Sequence, residues 1–318
     1  MIIIQVAGGL GNQLQQYALY RKLVRLGKEV RLDISWFDQV QMKETGHTRG
    51  MENVPVVTKR VLELRYFDRL VFEVCTEEEK TALIGSDGIT GKVRRKLFPF
   101  TVKWFHETKM YHPEIFDFED MYLSGYFACE KYYSDILYEL REKIQFPQSR
   151  DPRNAELARE MSMQDSVSVH IRRGDYLKPE NASIFGNICT EKYYETAIRT
   201  VEEKYPEAHF YIFSDDIPYV TEHYQGEKYT IVDINHGKDS FYDMYLMSRC
   251  RHNICANSTF SFWGARLNGH EDKMMIRPTI HKNSQVFVKE EMEQLWPSWI
   301  FISPGRNIAV NKVKESYR

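Results

Sequence analysis

The chain has 318 residues, with 43 basic against 45 acidic side chains, a formal net charge of −2 and 42% hydrophobic residues. That length leaves room for two domains with substantial cores. The near-zero charge offers no global attraction to nucleic acid, and no apolar run approaches the ~18 residues of a membrane span.

Met1-Ile2-Ile3-Ile4 lacks the form of a signal peptide and reads as the start of a first strand, Ile2 to Ala7. Gly8-Gly9-Leu10-Gly11 follows as a tight loop, then an amphipathic helix from Asn12 to Leu26. Gly27 ends that helix, and Glu29 to Ile34 returns as a strand. From 36 to 112 the pattern is less regular. Between Lys92 and His112, basic Lys92, Arg94, Arg95, Lys96, Lys103 and Lys109 interleave with Phe98, Phe100, Trp104 and Phe105, a pattern that suits contact with an anionic carrier or a sugar face, or a plain snorkelling surface helix. A strand near Met121 to Gly125 and a helix from about Glu130 to Ile144 complete this half. Two prolines and polar residues in Phe146-Pro147-Gln148-Ser149-Arg150-Asp151-Pro152 mark a boundary, giving domains of 1–150 and 151–318.

The second half alternates. Strands are expected near 166–171, 208–213, 229–233, 252–256 and 273–276, and helices near 191–204, 216–224, 239–249 and 259–267. Strands interspersed with helices of this length predict a parallel sheet covered on both faces, hence an α/β class. The tail beyond Gly305 is polar and basic and is expected to be poorly ordered.

Chemistry concentrates at the expected strand ends. His170-Ile171-Arg172-Arg173-Gly174-Asp175-Tyr176 follows the strand at 166–171 and sets two adjacent guanidinium groups at its carboxyl end. Arginine's planar fork matches phosphate oxygens, and ligands of open α/β sheets sit at this edge. The plainer reading pairs these arginines with Asp175. Phe213-Ser214-Asp215-Asp216 ends the next strand with two carboxylates able to bind a metal, bond ribose or cap a helix. No D-x-D triplet supports the metal. Asp243 opens a helix, where a carboxylate accepts from N1 and N2 of guanine or serves as an ordinary first-turn acid. Asn257-Ser258-Thr259-Phe260-Ser261 links strand to helix and offers a phosphate cradle. Together these loops describe one nucleotide-diphosphate site.

The N-terminal loop imitates a dinucleotide fingerprint. Gly9-Leu10-Gly11-Asn12-Gln13-Leu14 matches G-x-G-x-x-G except at Leu14, and Asp33 stands where a ribose-binding acid is expected. The five cysteines lack close pairing, which favours free thiols and a cytoplasmic setting. The spacing of Cys250, His252 and Cys255 fits no common zinc pattern.

These motifs resemble the bacterial α-1,2-fucosyltransferases: His-x-Arg-Arg-Gly-Asp-Tyr, the opening Gly-Gly-Leu-Gly-Asn-Gln, Gly125-Tyr126-Phe127 with Glu130-Lys131-Tyr132, Phe-Ser-Asp-Asp, and Ala256-Asn-Ser-Thr-Phe-Ser. They run in family order from residue 4 to about 268. The resemblance implies two Rossmann-like domains in a GT-B-like architecture, the N-terminal one on the acceptor side. It further implies inverting transfer from GDP-fucose to the 2-hydroxyl of a terminal β-galactose, without a metal or other cofactor. The acceptor would be an oligosaccharide or a lipid-linked glycan, with the enzyme cytoplasmic or peripheral at the inner face of the membrane. Arg172 and Asn12 would then stand at the reacting centre, Asn12 beside the acceptor. His170 and Asp243 would surround guanine, and Ser258 and Thr259 would hold the β-phosphate. Gly9, Gly11, Gln13, Arg173, Asp175, Asp215, Asp216, Asn257 and Phe260 complete the expected donor-binding set, and no catalytic base is singled out. Phe262 and Arg266 replace tryptophans of many members, Gln15 replaces a phenylalanine, and Met275-Ile276-Arg277-Pro278-Thr279 departs from the usual continuation. Two other classes compete: an NAD(P)-dependent Rossmann oxidoreductase and a non-catalytic sugar-nucleotide-binding protein.

Overall fold

Ile2, Ile3 and Ile4 are all fully buried in β1 (Ile2–Gln5). A central parallel strand is covered on both faces and so tolerates an unbroken apolar run. The computed structural model describes residues 1–38, 60–86 and 102–305, together with residues 91, 93, 96 and 97. The basic and aromatic side chains at 92, 94, 95, 98 and 100, and the tail beyond Gly305, lie outside the described residues.

β1 leads into α1 (Leu10–Arg25) and β2 (Val30–Asp33). Gly27 at φ +79° closes α1 as the sequence predicts. The Gly27 and Lys28 N–H groups donate back to the carbonyls of Val24 and Leu23, satisfying the last turn. After α2 (Glu77–Ile84) come β3 (Trp104–His106) and β4 (Met121–Ser124). The first sheet is ordered β2-β1-β4-β3, all parallel.

The helix expected over 130–144 is a correction. Glu130–Tyr132 and Ser134–Ile136 are 3₁₀ turns, and only α3 (Leu137–Lys143) is α-helical. Glu130, Tyr132, Tyr133 and Ile136 are all buried, so four consecutive-turn side chains need interior partners that one helical stripe does not reach. The Glu130 carboxylate accepts from Arg266 Nε and Trp299 Nε1, both at 2.9 Å, across the junction of the two halves. Arg266, one of the departures from the family pattern, is fully buried with its guanidinium against the rings of Tyr133 and Trp263. Arg277, another departure, lies 4.4 Å and 4.5 Å from the ring centres of Phe262 and Trp296. The cation–aromatic layer takes up volume that an apolar side chain would otherwise fill. One hydrophobic cluster accordingly runs from β1 and α1 through Tyr133 and Leu140 to Phe262, Trp263 and Trp299.

The second half begins with α4 (Pro152–Ser162), capped by the Asp151 side chain. Then follow β5 (Ser166–Ile171), α5 (Pro179–Phe185), α6 (Glu191–Glu202), β6 (His209–Ser214), α7 (Ile217–His223) and β7 (Tyr229–Val232). α8 (Tyr242–Arg249), β8 (His252–Ile254), α9 (Thr259–Leu267), β9 (Met275–Pro278), α10 (Lys289–Leu295) and β10 (Trp299–Ile302) complete it. Its sheet is ordered β10-β9-β8-β5-β6-β7, again all parallel. Read from β5, that is the doubly wound dinucleotide order, with the change of direction between β5 and β8. The α/β class and the two parallel sheets are as expected. β3, β10, α2, α4, α5 and α10 were not anticipated.

Candidate active site

β5 and β8 are neighbours whose connections leave in opposite directions, so a crevice opens outside their carboxyl ends. Arg172 is the first residue beyond β5, and Ser258 caps α9 beyond β8. The Tyr176 hydroxyl donates to the Asn257 carbonyl at 3.0 Å and ties the two loops together across the crevice.

Both arginines are held by carboxylates. Arg172 Nη2 lies 2.7 Å from Asp175 and Nη1 3.0 Å from Asp215, so the fork is gripped at both tips. Arg173 Nε donates to Asp216 at 2.9 Å, and its guanidinium lies 3.6 Å from the centre of the Tyr219 ring. The pairing of Arg172 with Asp175 that the plainer reading named is therefore present, and Asp215 joins it. Asp215 also accepts from the Arg173 and Gly174 N–H groups at 2.9 and 3.1 Å, and its carboxylate fills the space a Cβ on Gly174 would need. Asp216 accepts from Tyr219 N and caps α7. The acidic pair thus shapes the arginine loop. Among the described residues no three His, Cys, Asp or Glu side chains are grouped to hold a metal.

The halves meet at two helix N-termini. Thr259 Oγ1 donates to Asn12 Oδ1 at 2.9 Å. A Cβ on Gly11 would come within 2.5 Å of the Thr259 backbone, so only glycine permits this approach. Ser258 Oγ accepts from Phe260 N at the positive N-terminal end of α9.

His170 and Asp243 are the residues expected around guanine. His170 is 6% exposed, its Nδ1 has no hydrogen-bond partner among the described residues, and its ring lies 5.9 Å from that of Phe260. Burial, reinforced by Arg172, lowers its pKa to about 4, so the imidazole is neutral near pH 7. Asp243 accepts from Asn235 Nδ2 at 2.9 Å, and burial, with Asp233 adding to it, raises its pKa to about 7. Phe260 and Tyr245, from the two sides, pack on one cluster with Leu246 and Met247.

Four expected donor-binding residues are taken up by contacts within the chain. Gln13 is fully buried; its amide donates to the Gly8 and Val61 carbonyls and its oxygen accepts from Glu63 and Leu64 N–H. It clamps the loop and has no capacity left for a ligand. Asn257 donates to the Phe185 and His281 carbonyls and accepts from the Cys189 thiol. Gly11 packs on Thr259, while Gly9 adjoins the Arg60 side chain.

The same contacts argue against a dinucleotide at the first loop. α9 covers Gly11, and Asp33 is committed to the Tyr122 hydroxyl at 2.6 Å and to Lys80 at 3.4 Å. The Glu63 carboxylate lies near the Leu10 N–H, so an acid of this chain already stands by the start of α1.

Sequence reasoning missed Tyr176 as the tie between loops and Asn235 as the partner of Asp243. Tyr176 lay inside the quoted motif; Asn235 carried no local signal. A cavity of about 460 Å³ beside the start of α6 is lined by Arg172, Arg173, Tyr176, Phe185 and Tyr219.

Residues 108–303 match glycosyl transferase family 11. An alpha-1,2-colitosyltransferase of Escherichia coli is 29% identical over 313 residues, 95% of this chain and 99% of that protein. The O-antigen biosynthesis glycosyltransferase WbnK of Escherichia coli is 30% identical over 301 residues, covering 86% and 92%. Galactoside alpha-(1,2)-fucosyltransferase 2 of Bos taurus is 25% identical over 138 residues, covering 43% and 40%.

Proposed function

The chain belongs to glycosyl transferase family 11 and is a glycosyltransferase, and from that premise we propose that it moves L-fucose from GDP-fucose to the 2-hydroxyl of a terminal β-galactose, with inversion and without a metal. The observation that carries this reading is the crevice between β5 and β8, where the doubly held Arg172 fork and the N-terminus of α9 stand together. Negative charge builds on GDP as the fucosyl C1–O bond breaks through an oxocarbenium-like transition state. A fixed guanidinium and a helix N-terminus are preorganised for that charge. Asn12, bonded across the two halves to Thr259, is assigned in this reading to the acceptor hydroxyl, which attacks from the face opposite GDP. Closure of the two halves on donor and acceptor would exclude water. The acceptor proton passes late to solvent or phosphate in this scheme, since no carboxylate of the chain is assigned as base.

Asp243 makes the donor reading testable by pH. Its carboxylate must be ionised to accept from guanine N1–H and N2–H, so with a pKa raised to about 7 by burial GDP-fucose affinity is expected to be full above pH 7. Below it, affinity should fall by about tenfold per pH unit, the cost of releasing one proton. Stability runs the other way. A carboxyl whose folded pKa is raised contributes stability below its unfolded pKa and loses it as pH rises through the folded value. Calorimetric titrations with GDP-fucose from pH 5 to 8 check this, with Asp243→Asn expected to abolish the slope. Binding of NAD in place of GDP-fucose would instead favour the oxidoreductase.

The likeness to a colitosyltransferase favours one second reading, in which the donor sugar is a 3-deoxy relative of fucose. Comparing kcat/KM for GDP-fucose and GDP-colitose decides between them.

A further inference from the structure

Asn154 and Asn235 come from separate elements, the first turn of α4 and the loop after β7, and are 1% and 8% exposed. Their amides face each other reciprocally: Asn154 Nδ2 donates to Asn235 Oδ1 at 2.8 Å and Asn235 Nδ2 to Asn154 Oδ1 at 2.9 Å. Each amide has one N–H left. Asn235 gives its own to Asp243 Oδ1 at 2.9 Å, and Asn154 gives its own to Ser149 Oγ at 3.1 Å. All four N–H groups are thereby used. Turning either amide over would set oxygen against oxygen in the pair, and turning Asn235 would also aim a carbonyl at the Asp243 carboxylate. The orientation is therefore fixed by the network itself.

Asp243 Oδ1 is pinned from behind, while its Oδ2 has no hydrogen-bond partner among the described residues. Two buried amides are a costly way to fill space between α4 and α8. Their arrangement does what a rotamer preference alone would not: it holds one carboxylate plane in one direction. We propose that Asn235 and Asn154 are positioning residues that orient Asp243 and thereby set a preference for a guanine base. This rests on the reading of the site as a GDP-sugar site. Guanine presents N1–H and the exocyclic N2–H side by side, and a fixed carboxylate accepts both. Hypoxanthine lacks the N2 amine, and adenine turns an acceptor at N1 toward the acid. The network ends at Ser149, in the segment that joins the two halves, so the crossover is anchored to the same carboxylate.

The test compares Kd for GDP, IDP and ADP by calorimetry, and kcat and KM for GDP-fucose, in wild type, Asn235→Leu and Asp243→Asn. The wild type is expected to favour GDP over IDP. Asn235→Leu is expected to cut that GDP:IDP ratio by about tenfold and to raise KM, as loss of a hydrogen bond to a charged group would, with kcat changed less than about twofold. A merely structural role would lower both affinities together and leave the ratio where it was, and that result overturns the proposal. Should Asn235→Leu not fold, Asn154→Ala, one bond further from the ligand, is read the same way: a falling ratio supports positioning, an unchanged ratio overturns it. A wild type that binds GDP and IDP equally, with Asp243→Asn unchanged, removes Asp243 from base recognition and the proposal with it. Wild type binding no GDP at all would instead strike the donor reading itself.

Discussion

Arg172→Lys is expected to lower kcat with GDP-fucose by about 10²–10³-fold while leaving the fold intact, because one preorganised donor at a site of developing charge is worth roughly that much. The structure explains why lysine is no substitute. The Arg172 fork is gripped at 2.7 Å by Asp175 and at 3.0 Å by Asp215, which fixes its plane before any ligand arrives. A lysine ammonium keeps the charge but offers a point donor on a flexible stem and cannot bridge the two acids. Asp215 would keep its bonds from the Arg173 and Gly174 N–H groups, so the loop should hold its shape. Single-turnover rates with saturating donor, beside circular dichroism of both proteins, make the measurement. A rate within about threefold of wild type would remove Arg172 from charge stabilisation.

Glu130→Ala is expected to cost about 3–5 kcal/mol of folding stability, the range for stripping one partner from a buried ion pair. Arg266 is fully buried, and Glu130 is its only carboxylate partner among the described residues. Its removal leaves a guanidinium in a wall of Tyr133 and Trp263 and also orphans the Trp299 N–H. Urea unfolding monitored by tryptophan fluorescence should show the midpoint falling sharply at unchanged slope. Replacing Glu130 and Arg266 together by apolar residues of similar volume should cost far less. The pair spans the two halves, so its loss should also loosen their mutual docking.

Periodicity served where a strand or helix had one clear face. The run at 166–171 and the alternation after it yielded β5 to β9, and Gly27 marked the end of α1. It failed where partners were distant in sequence. Nothing local in Glu130-Lys131-Tyr132-Tyr133 announces Arg266 and Trp299, whose bonds to Glu130 go with 3₁₀ turns here. β10 is a short strand, Trp299–Ile302, added at the edge of an existing sheet, and its pattern is too brief to stand out.

Site residues divide in the same way. The arginine loop was legible because two guanidiniums and three carboxylates cluster within two short motifs. Gln13, by contrast, has the residue type of a ligand-binding amide at a helix start, yet its hydrogen-bonding capacity is consumed by Gly8 and the 61–64 segment. Motif position alone does not separate a clamp from a binding group. Asn235 shows the converse: an asparagine in an unremarked loop holds Asp243, and only the fold brings them together.

The most direct test of the central claim is the mass of the product formed from GDP-fucose and a panel of β-galactoside-terminated oligosaccharides, lactose included, in excess EDTA. The account predicts a singly fucosylated product formed in step with GDP release, its linkage then read by NMR. Intact acceptors and unconsumed GDP-fucose across the panel, from protein shown to be folded, would contradict it.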